Sequence, residues 1–196
     1  VEKAYKKYGV KMSLGVEKVS AKNNGKDITI TAVEKGKEVN YNFEMGLIAV
    51  GMTGNTEGIG LEKVGVKTDR GFVQVNDMYQ TTVDNIYAIG DLAGPPLLAH
   101  SASHEGVIAA EHIAGEKPHK LDKMNVPGCT YCQPQVASVG YTERALKEEG
   151  IKYSVGKLPF QANGKAVASN ETAGFVKTLL GEHGEPGESP DHHGQH

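Results

Sequence analysis

Apolar and polar residues alternate in three consecutive stretches near the start of the chain: Val16 to Ala21, Asp27 to Val33 and Glu38 to Phe43. A period of two puts one set of side chains on each face of an extended strand. Asn23-Asn24-Gly25 and Glu34-Lys35-Gly36-Lys37 separate the stretches and carry residues that favour reverse turns. The pattern predicts a three-stranded meander, polar on one face. Before it, Val1 to Tyr8 reads as the end of a helix with a charged face, stopped by Gly9, and Val10 to Leu14 as a further strand. After it, Leu47 to Val50 is apolar throughout and ends at Gly51, the pattern of a short buried strand. Because the opening helix has no cap before it, the chain is expected to be cut from something longer.

Further on, Asp69-Arg70-Gly71 predicts a hairpin turn leading into a strand at Phe72 to Val75. A second apolar run, Ile86 to Ile89, stops at Gly90-Asp91, and Gly94-Pro95-Pro96 forbids regular structure. From Leu98, the residues Ala99, Ala102, Gly106, Val107, Ala109, Ala110 and Ile113 recur at helical spacing, predicting a helix to about Ala114 that ends at Gly115. The unit is therefore strand, carboxylate, Gly/Pro elbow, helix. After a polar connector from Lys117 to Pro127, Val136 to Val139 reads as a strand. Thr142 caps a short helix, with Glu143 in its first turn and Gly150 just past its end. Tyr153 to Phe160 and Gly174 to Leu180 are strands, with a turn at Gln161 to Ala166 between them. From Gly181 to His196 the chain is rich in Gly, Pro, Glu and His, and a disordered or non-native tail is expected there.

Composition narrows the function classes. The 196 residues carry 21 basic and 24 acidic side chains, a net charge of −3. No electrostatic footprint for nucleic acid or an anionic membrane is present. No apolar stretch approaches the roughly 20 residues of a membrane span, and the charged opening is not a signal peptide. Two cysteines do not suggest a secreted disulfide scaffold. A soluble protein of a reducing compartment, the cytoplasm, is expected.

Asp91 is the leading chemical candidate. A carboxylate at a strand's C-terminal end, facing a helix N-terminus, is a common way for an open α/β sheet to hold a cofactor. The plain alternative is a turn or N-cap aspartate. His100 and His104 share a helical face at a spacing that can bind zinc, yet no third ligand is evident, so no metal site is expected. Cys129 and Cys132 form a Cys-x-x-Cys. Tyr131 and Pro134 place the pair at the start of an extended strand, away from a helix N-terminus that would activate a thiol, although the two cysteines could still oxidise together. No Gly-x-Gly-x-x-Gly follows a strand, so neither phosphate-cradling loop is present in these residues.

The residues Thr81 or Thr82, Ile86, Tyr87, Ala88, Ile89, Gly90 and Asp91 resemble the second flavin-binding motif of the pyridine nucleotide-disulfide oxidoreductases, flavoproteins with two dinucleotide domains. Leu97-Leu98-Ala99-His100 is similar to the Met-Leu-Ala-His segment of their dihydrolipoamide dehydrogenase branch. The resemblance covers Val1 to Leu180 and implies a mixed α/β and α+β fold. Its parts would be the end of a nicotinamide-binding Rossmann-like domain with a β-meander (residues 1–56), part of an FAD domain (57–125) and part of an antiparallel α+β dimerisation domain (126–180), with 181–196 as the tail.

By the same resemblance the cofactors are FAD and NAD. Asp91 would accept hydrogen bonds from the ribityl hydroxyls. Leu97, Leu98, Ala99 and His100 would present backbone amides to the flavin. Val19 would pack near the adenine end of the dinucleotide, and Gly51 would let the backbone approach it. The implied reaction reoxidises a dihydrolipoyl arm, with electrons passing through a disulfide and FAD to NAD. The implied partners are the lipoyl domain of a 2-oxo acid dehydrogenase complex and a second copy in a homodimer.

Gly51-Met52-Thr53-Gly54-Asn55-Thr56 departs from the family's Gly-Arg-x-Pro-Asn-Thr, losing an Arg that could touch a phosphate. The family's redox cysteines and its C-terminal His-Pro…Glu pair are not matched, and His183-Gly184-Glu185-Pro186 is no substitute. These residues alone are therefore expected to be catalytically inactive. Related reductases of the mercuric or glutathione type, or a non-catalytic flavin- or partner-binding module, are the alternatives.

Overall fold

The computed structural model describes residues 1–181. The tail expected from 181 onward lies outside the described residues, Gly181 excepted. The chain divides into two compact units, one spanning Val1–Gly51 and the other starting at Met52. Each mixes short helices with small antiparallel sheets, as the sequence leads one to expect.

In the first unit, helix α1 spans Glu2–Lys7, followed by strands β1 (Glu17–Asn23), β2 (Ile28–Glu34) and β3 (Lys37–Phe43). The strands form one antiparallel sheet in sequence order, the predicted meander. Lys35 (φ 50°) and Gly36 (φ 77°) give the β2–β3 turn two consecutive left-handed residues, which matches the twist of a tight hairpin. That turn fixes an unbroken register from Glu34 opposite Lys37 to Ile28 opposite Phe43. One face carries cross-strand polar pairs, Thr31 Oγ1 donating to Asn40 Oδ1 at 2.6 Å and Thr29 Oγ1 to Asn42 Oδ1 at 2.9 Å. The other buries Ala32.

Two expectations fail in this unit. Val10 to Leu14 forms no strand, and neither does Leu47 to Val50, where Leu47 is 92% and Val50 93% exposed. An apolar strand of this kind needs a neighbour along its edges and cover on its faces. The three strands of this unit pair among themselves and supply neither.

The second unit opens with a 3-10 turn, Leu61–Val64, and the short strands β4 (Thr68–Asp69) and β5 (Phe72–Val73). Arg70 (φ 49°) and Gly71 (φ 85°) form the predicted turn between them. Thr53 Oγ1 donates to the Arg70 carbonyl and Thr56 Oγ1 to that of Gly71, so residues 53–56 lie against this turn. Helix α2 runs from Ala99 to Ile113, and Gly115 follows its end with φ 85°, close to the predicted bounds. The core is built from Tyr79, Ile108 and Ala109, with Val75, Met78, Tyr87, Ala93 and Leu121 packed against them.

The run Ile86 to Ile89 is not a strand. It makes only an isolated bridge, Gln80 opposite Tyr87, and Ile89 is 41% exposed. Residues 79–81 run beside it on one edge, with the Thr81 amide donating to the Ile86 carbonyl and the Ala88 amide to the Tyr79 carbonyl, and among the described residues no strand pairs with its other edge. The buried face of α2 also differs from the predicted one. Ser101, Glu105, Ile108 and Ala109 are buried, whereas Val107 and Ile113 are exposed.

Beyond the connector come β6 (Gly128–Thr130), β7 (Val136–Ser138), α3 (Glu143–Glu148), β8 (Ser154–Pro159), α4 (Gly164–Ala168) and β9 (Phe175–Leu180). Strands β6 and β7 form a hairpin, and β8 pairs antiparallel with β9. The Thr142 hydroxyl accepts from the Ala145 amide at 3.2 Å, the predicted cap. Where a plain turn was expected, Asn163 caps α4 by accepting from the Ala166 amide at 3.0 Å. Among the described residues, no helix is long and apolar enough to cross a membrane.

Candidate functional site

The elbow between Ile89 and α2 is held from beneath. Glu105 is 1% exposed, yet both of its carboxylate oxygens are engaged. Its Oε2 accepts from the Gly90 amide at 2.6 Å, and its Oε1 accepts from Ser101 Oγ at 3.0 Å. Ser101 and Glu105 are four apart on one helical face, so one carboxylate ties the helix to the elbow. Gly90 sits at φ 68°, and a Cβ there would come within 3.3 Å of the Ala102 Cβ. Gly106 plays the reciprocal part, since a Cβ on it would lie 3.3 Å from Ile89 Cδ1. Glycine at both positions lets α2 approach the elbow closely.

Asp91 follows in a 3-10 turn, Gly90–Ala93, and is exposed. The helix beyond the prolines begins at Ala99. Its N-cap, Leu98, is extended and offers no side-chain cap. The amides of Ala99, His100 and Ser101 therefore have no intrahelical acceptor and no side-chain acceptor at the cap. The positive end of a 15-residue helix reinforces these donors. Leu97 and Leu98 are half-buried, while Ala99 and His100 are exposed. The elbow thus offers an exposed carboxylate and, a few residues on, the amides of the exposed residues Ala99 and His100, whereas the Leu98 amide donates to the Pro96 carbonyl at 3.0 Å and Ser101 is fully buried. Such a pair suits a ligand bearing hydroxyls at one end and an electron-rich edge at the other.

The connector is fastened to the same region. His100 Nε2 donates to the Pro127 carbonyl at 2.8 Å, and Lys123 Nζ donates to the Pro95 carbonyl at 3.0 Å. A cleft of about 540 Å³ lies beneath the elbow, lined in part by Phe72, Val75, Tyr79, Ala93, Glu105 and Leu121. Burial pushes the Tyr79 phenol up to about 12, with the charges of Glu105 and Asp77 adding to the effect. A second cleft of about 480 Å³ runs along the start of α2 past His100, His104 and Asp122. Asp91 lines neither cleft. Among the described residues, no group of three or more His, Cys, Asp or Glu side chains is placed to hold a metal ion.

The other candidates lie elsewhere. Val19 is 59% exposed on β1, and Gly51, at φ 146°, ends the first unit with nothing within 4 Å of where a Cβ would stand. Cys129 is exposed on β6 and Cys132 half-buried in the β6–β7 loop, so only the first of the pair lies in a strand. Sequence reasoning missed Glu105 and Tyr79. The one available signal was the Ser101–Glu105 spacing, a polar pair on a face otherwise read as exposed.

The chain is similar to known proteins. The sequence profile of the pyridine nucleotide-disulphide oxidoreductases matches residues 1–106, and the profile of that family's dimerisation domain matches residues 126–185. A dihydrolipoyl dehydrogenase from Zymomonas mobilis is 46% identical over 183 residues, covering 92% of this chain and 39% of that protein. Among solved structures, LpdA from Mycobacterium tuberculosis aligns with a TM-score of 0.78 and 28% identity over 92% of this chain and 39% of that one. The HOCl-induced flavoprotein disulfide reductase RclA from Escherichia coli aligns with a TM-score of 0.74 and 26% identity over 93% of this chain and 41% of that one. The chain thus spans about two fifths of the length of the proteins it matches. It belongs to the pyridine nucleotide-disulphide oxidoreductase family.

Proposed function

We propose that these residues serve a flavin-dependent disulfide oxidoreductase of the dihydrolipoyl dehydrogenase type, which oxidises a dihydrolipoyl arm and reduces NAD through FAD. The observation that carries this reading is the exposed Asp91 carboxylate set across a Gly/Pro elbow from the uncapped N-terminus of α2. In this reading, residues 1–56 belong to the NAD-binding domain, 57–125 to the FAD-binding domain and 126–180 to the dimerisation domain of a homodimer. The lipoyl domain of a 2-oxo acid dehydrogenase complex is the partner, and the cytoplasm is the working compartment.

The donor set fits a flavin dinucleotide. Asp91 can only accept hydrogen bonds when ionised, and the ribityl chain offers hydroxyl donors. The amides of Ala99 and His100 lie at an exposed helix N-terminus, where partial positive charge stabilises an anionic edge. Ala99 keeps that approach open with the smallest side chain that still favours a helix. Leu97 and Leu98 close the elbow with half-buried apolar groups. Glu105 keeps the Gly90 amide for itself and so holds the residue before Asp91 in its left-handed conformation. On the nicotinamide side, Val19 offers an exposed apolar contact for an adenine, and Gly51 leaves its backbone open to close approach. The flavin, when bound, supplies two-electron transfer between a dithiol and a nicotinamide. The family's redox cysteines and acid–base pair have no match among these residues, so the isolated chain is proposed to be inactive.

The test is a graft. The aligned segment of the Zymomonas mobilis enzyme is replaced by residues 1–180, and flavin content and dihydrolipoamide oxidation are measured. The expected product is a yellow, active chimera, and Asp91→Ala in that chimera is expected to lose most of its flavin. A folded Asp91→Ala chimera with full flavin content would exclude Asp91 from the site. A folded, flavin-loaded chimera with no dihydrolipoamide activity would exclude the assigned reaction.

A further inference from the structure

Cys129 and Cys132 are the chain's only cysteines, and nothing in the function above uses them. Both are free thiols, one exposed on β6 and the other half-buried in the loop that leads to β7. Fully extended, the three residue steps between them would separate their Cα atoms by about 10 Å, more than the roughly 4–7 Å that a disulfide accepts. The chain is not extended here. The Cys132 amide donates to the Thr130 carbonyl at 2.9 Å, a tight reversal centred on Tyr131 that shortens the span between the cysteines. Strand pairing anchors one side, with Cys129 opposite Ala137. The other side is held more weakly, since Cys132 Sγ donates to the Pro134 carbonyl at 3.1 Å. Turning that side chain away from Pro134 breaks one weak hydrogen bond and none of the β6–β7 pairings.

We propose that Cys129 and Cys132 form a reversible dithiol–disulfide couple at the tip of the β6–β7 hairpin, oxidised by low-molecular-weight disulfides. Cys129, the more accessible, acts first. Its thiolate attacks one sulfur of the external disulfide, forming a mixed disulfide and releasing one small thiolate. Cys132 then loses its proton, attacks the Cys129 sulfur and closes the ring, releasing the second small thiolate. The two protons given up by the cysteines end on the two released thiols. In total, one external disulfide is reduced and one protein dithiol is oxidised.

The ring encloses only Thr130 and Tyr131, so closure constrains little of the unfolded chain. Its bond lies near the surface, where reductants reach it. Both features mark a labile, switchable disulfide rather than a structural one. It is separate from the family's redox pair, which the resemblance puts in an upstream segment.

The test exposes the reduced 196-residue chain to glutathione disulfide and follows it by intact mass and peptide mapping. The wild type is expected to lose two hydrogens, retain no glutathione and yield one peptide linking Cys129 to Cys132. Cys132→Ser is expected to trap glutathione on Cys129, and Cys129→Ser to take up glutathione at Cys132 at least several-fold more slowly. A second measurement needs no variant: phenylarsine oxide, which bridges two neighbouring thiols, should bind the native reduced chain one to one and block ring closure. A chain that stays reduced, carries stable glutathione on both cysteines or joins to a second chain instead of closing overturns the proposal. Failure of the native chain to bind the arsenical overturns it too.

Discussion

Glu105 is the side chain on which the elbow depends. A buried carboxylate with both oxygens engaged leaves two donors stranded when it is removed. Glu105→Ala is therefore expected to destabilise the second unit by about 1–3 kcal/mol for each donor left unpaired. Glu105→Gln should cost less, because its amide oxygen still accepts from one of them. Urea denaturation of the two variants against wild type measures the difference. Tyr79 supplies a pH signature. Its phenol ionises near 10 in the unfolded chain and is held to about 12 in the fold. Stability from this source is intact below pH 10 and is lost as the pH rises toward 12. Tyr79→Phe should flatten that part of the alkaline unfolding profile, followed by circular dichroism. At this scale the sequence drew attention to Asp91 and passed over Glu105. A carboxylate after an apolar run announces itself, whereas a glutamate inside a helix reads as surface until its partner in another segment is known.

Elements formed where their own residues complete them. The meander and α2 appear close to the predicted bounds because alternation, turn glycines and helical spacing are local signals. Leu47 to Val50 and Ile86 to Ile89 do not form strands, because an apolar run says nothing about whether a pairing edge exists. The helical spacing in α2 gave the right element and part of its packed face, with Ala109 buried and Ala102 and Gly106 against the elbow, but Val107 and Ile113 are exposed. A sharper test of packing between elements lies at Gly54 and Gly71. A Cβ on Gly54 would collide with the Gly71 carbonyl oxygen, and one on Gly71 with Thr53 Oγ1, at a position whose φ of 85° already disfavours side chains. Gly54→Ala meets backbone that cannot swing aside. It is expected to cost more than about 2 kcal/mol, with a matching drop in the thermal midpoint and loss of amide protection along β4 and β5.

On the scale of the whole molecule, the family was readable from two short motifs, yet the chain covers about two fifths of its relatives. The described residues leave much apolar surface uncovered. Met45, Leu47, Ile48 and Val50 are 77–93% exposed in the first unit, and Val155, Leu158, Phe175 and Val176 are about half exposed on the β8–β9 hairpin. Exposed apolar side chains of this kind promote association. The isolated chain is expected to bind a hydrophobic dye strongly and to self-associate in light scattering as its concentration rises. Leu47→Glu combined with Ile48→Lys should reduce both signals without changing the far-ultraviolet spectrum. An isolated chain that stays monomeric and dye-free would show that this surface is covered in solution.

The carboxylate shared between Gly90 and Ser101 has one more consequence. Because a single group grips loop and helix together, the loop has no private fluctuation of its own. Deuterium should enter the Gly90 amide only when the first turns of α2 unwind, so its exchange rate becomes a clock for the helix rather than for the bend that contains it.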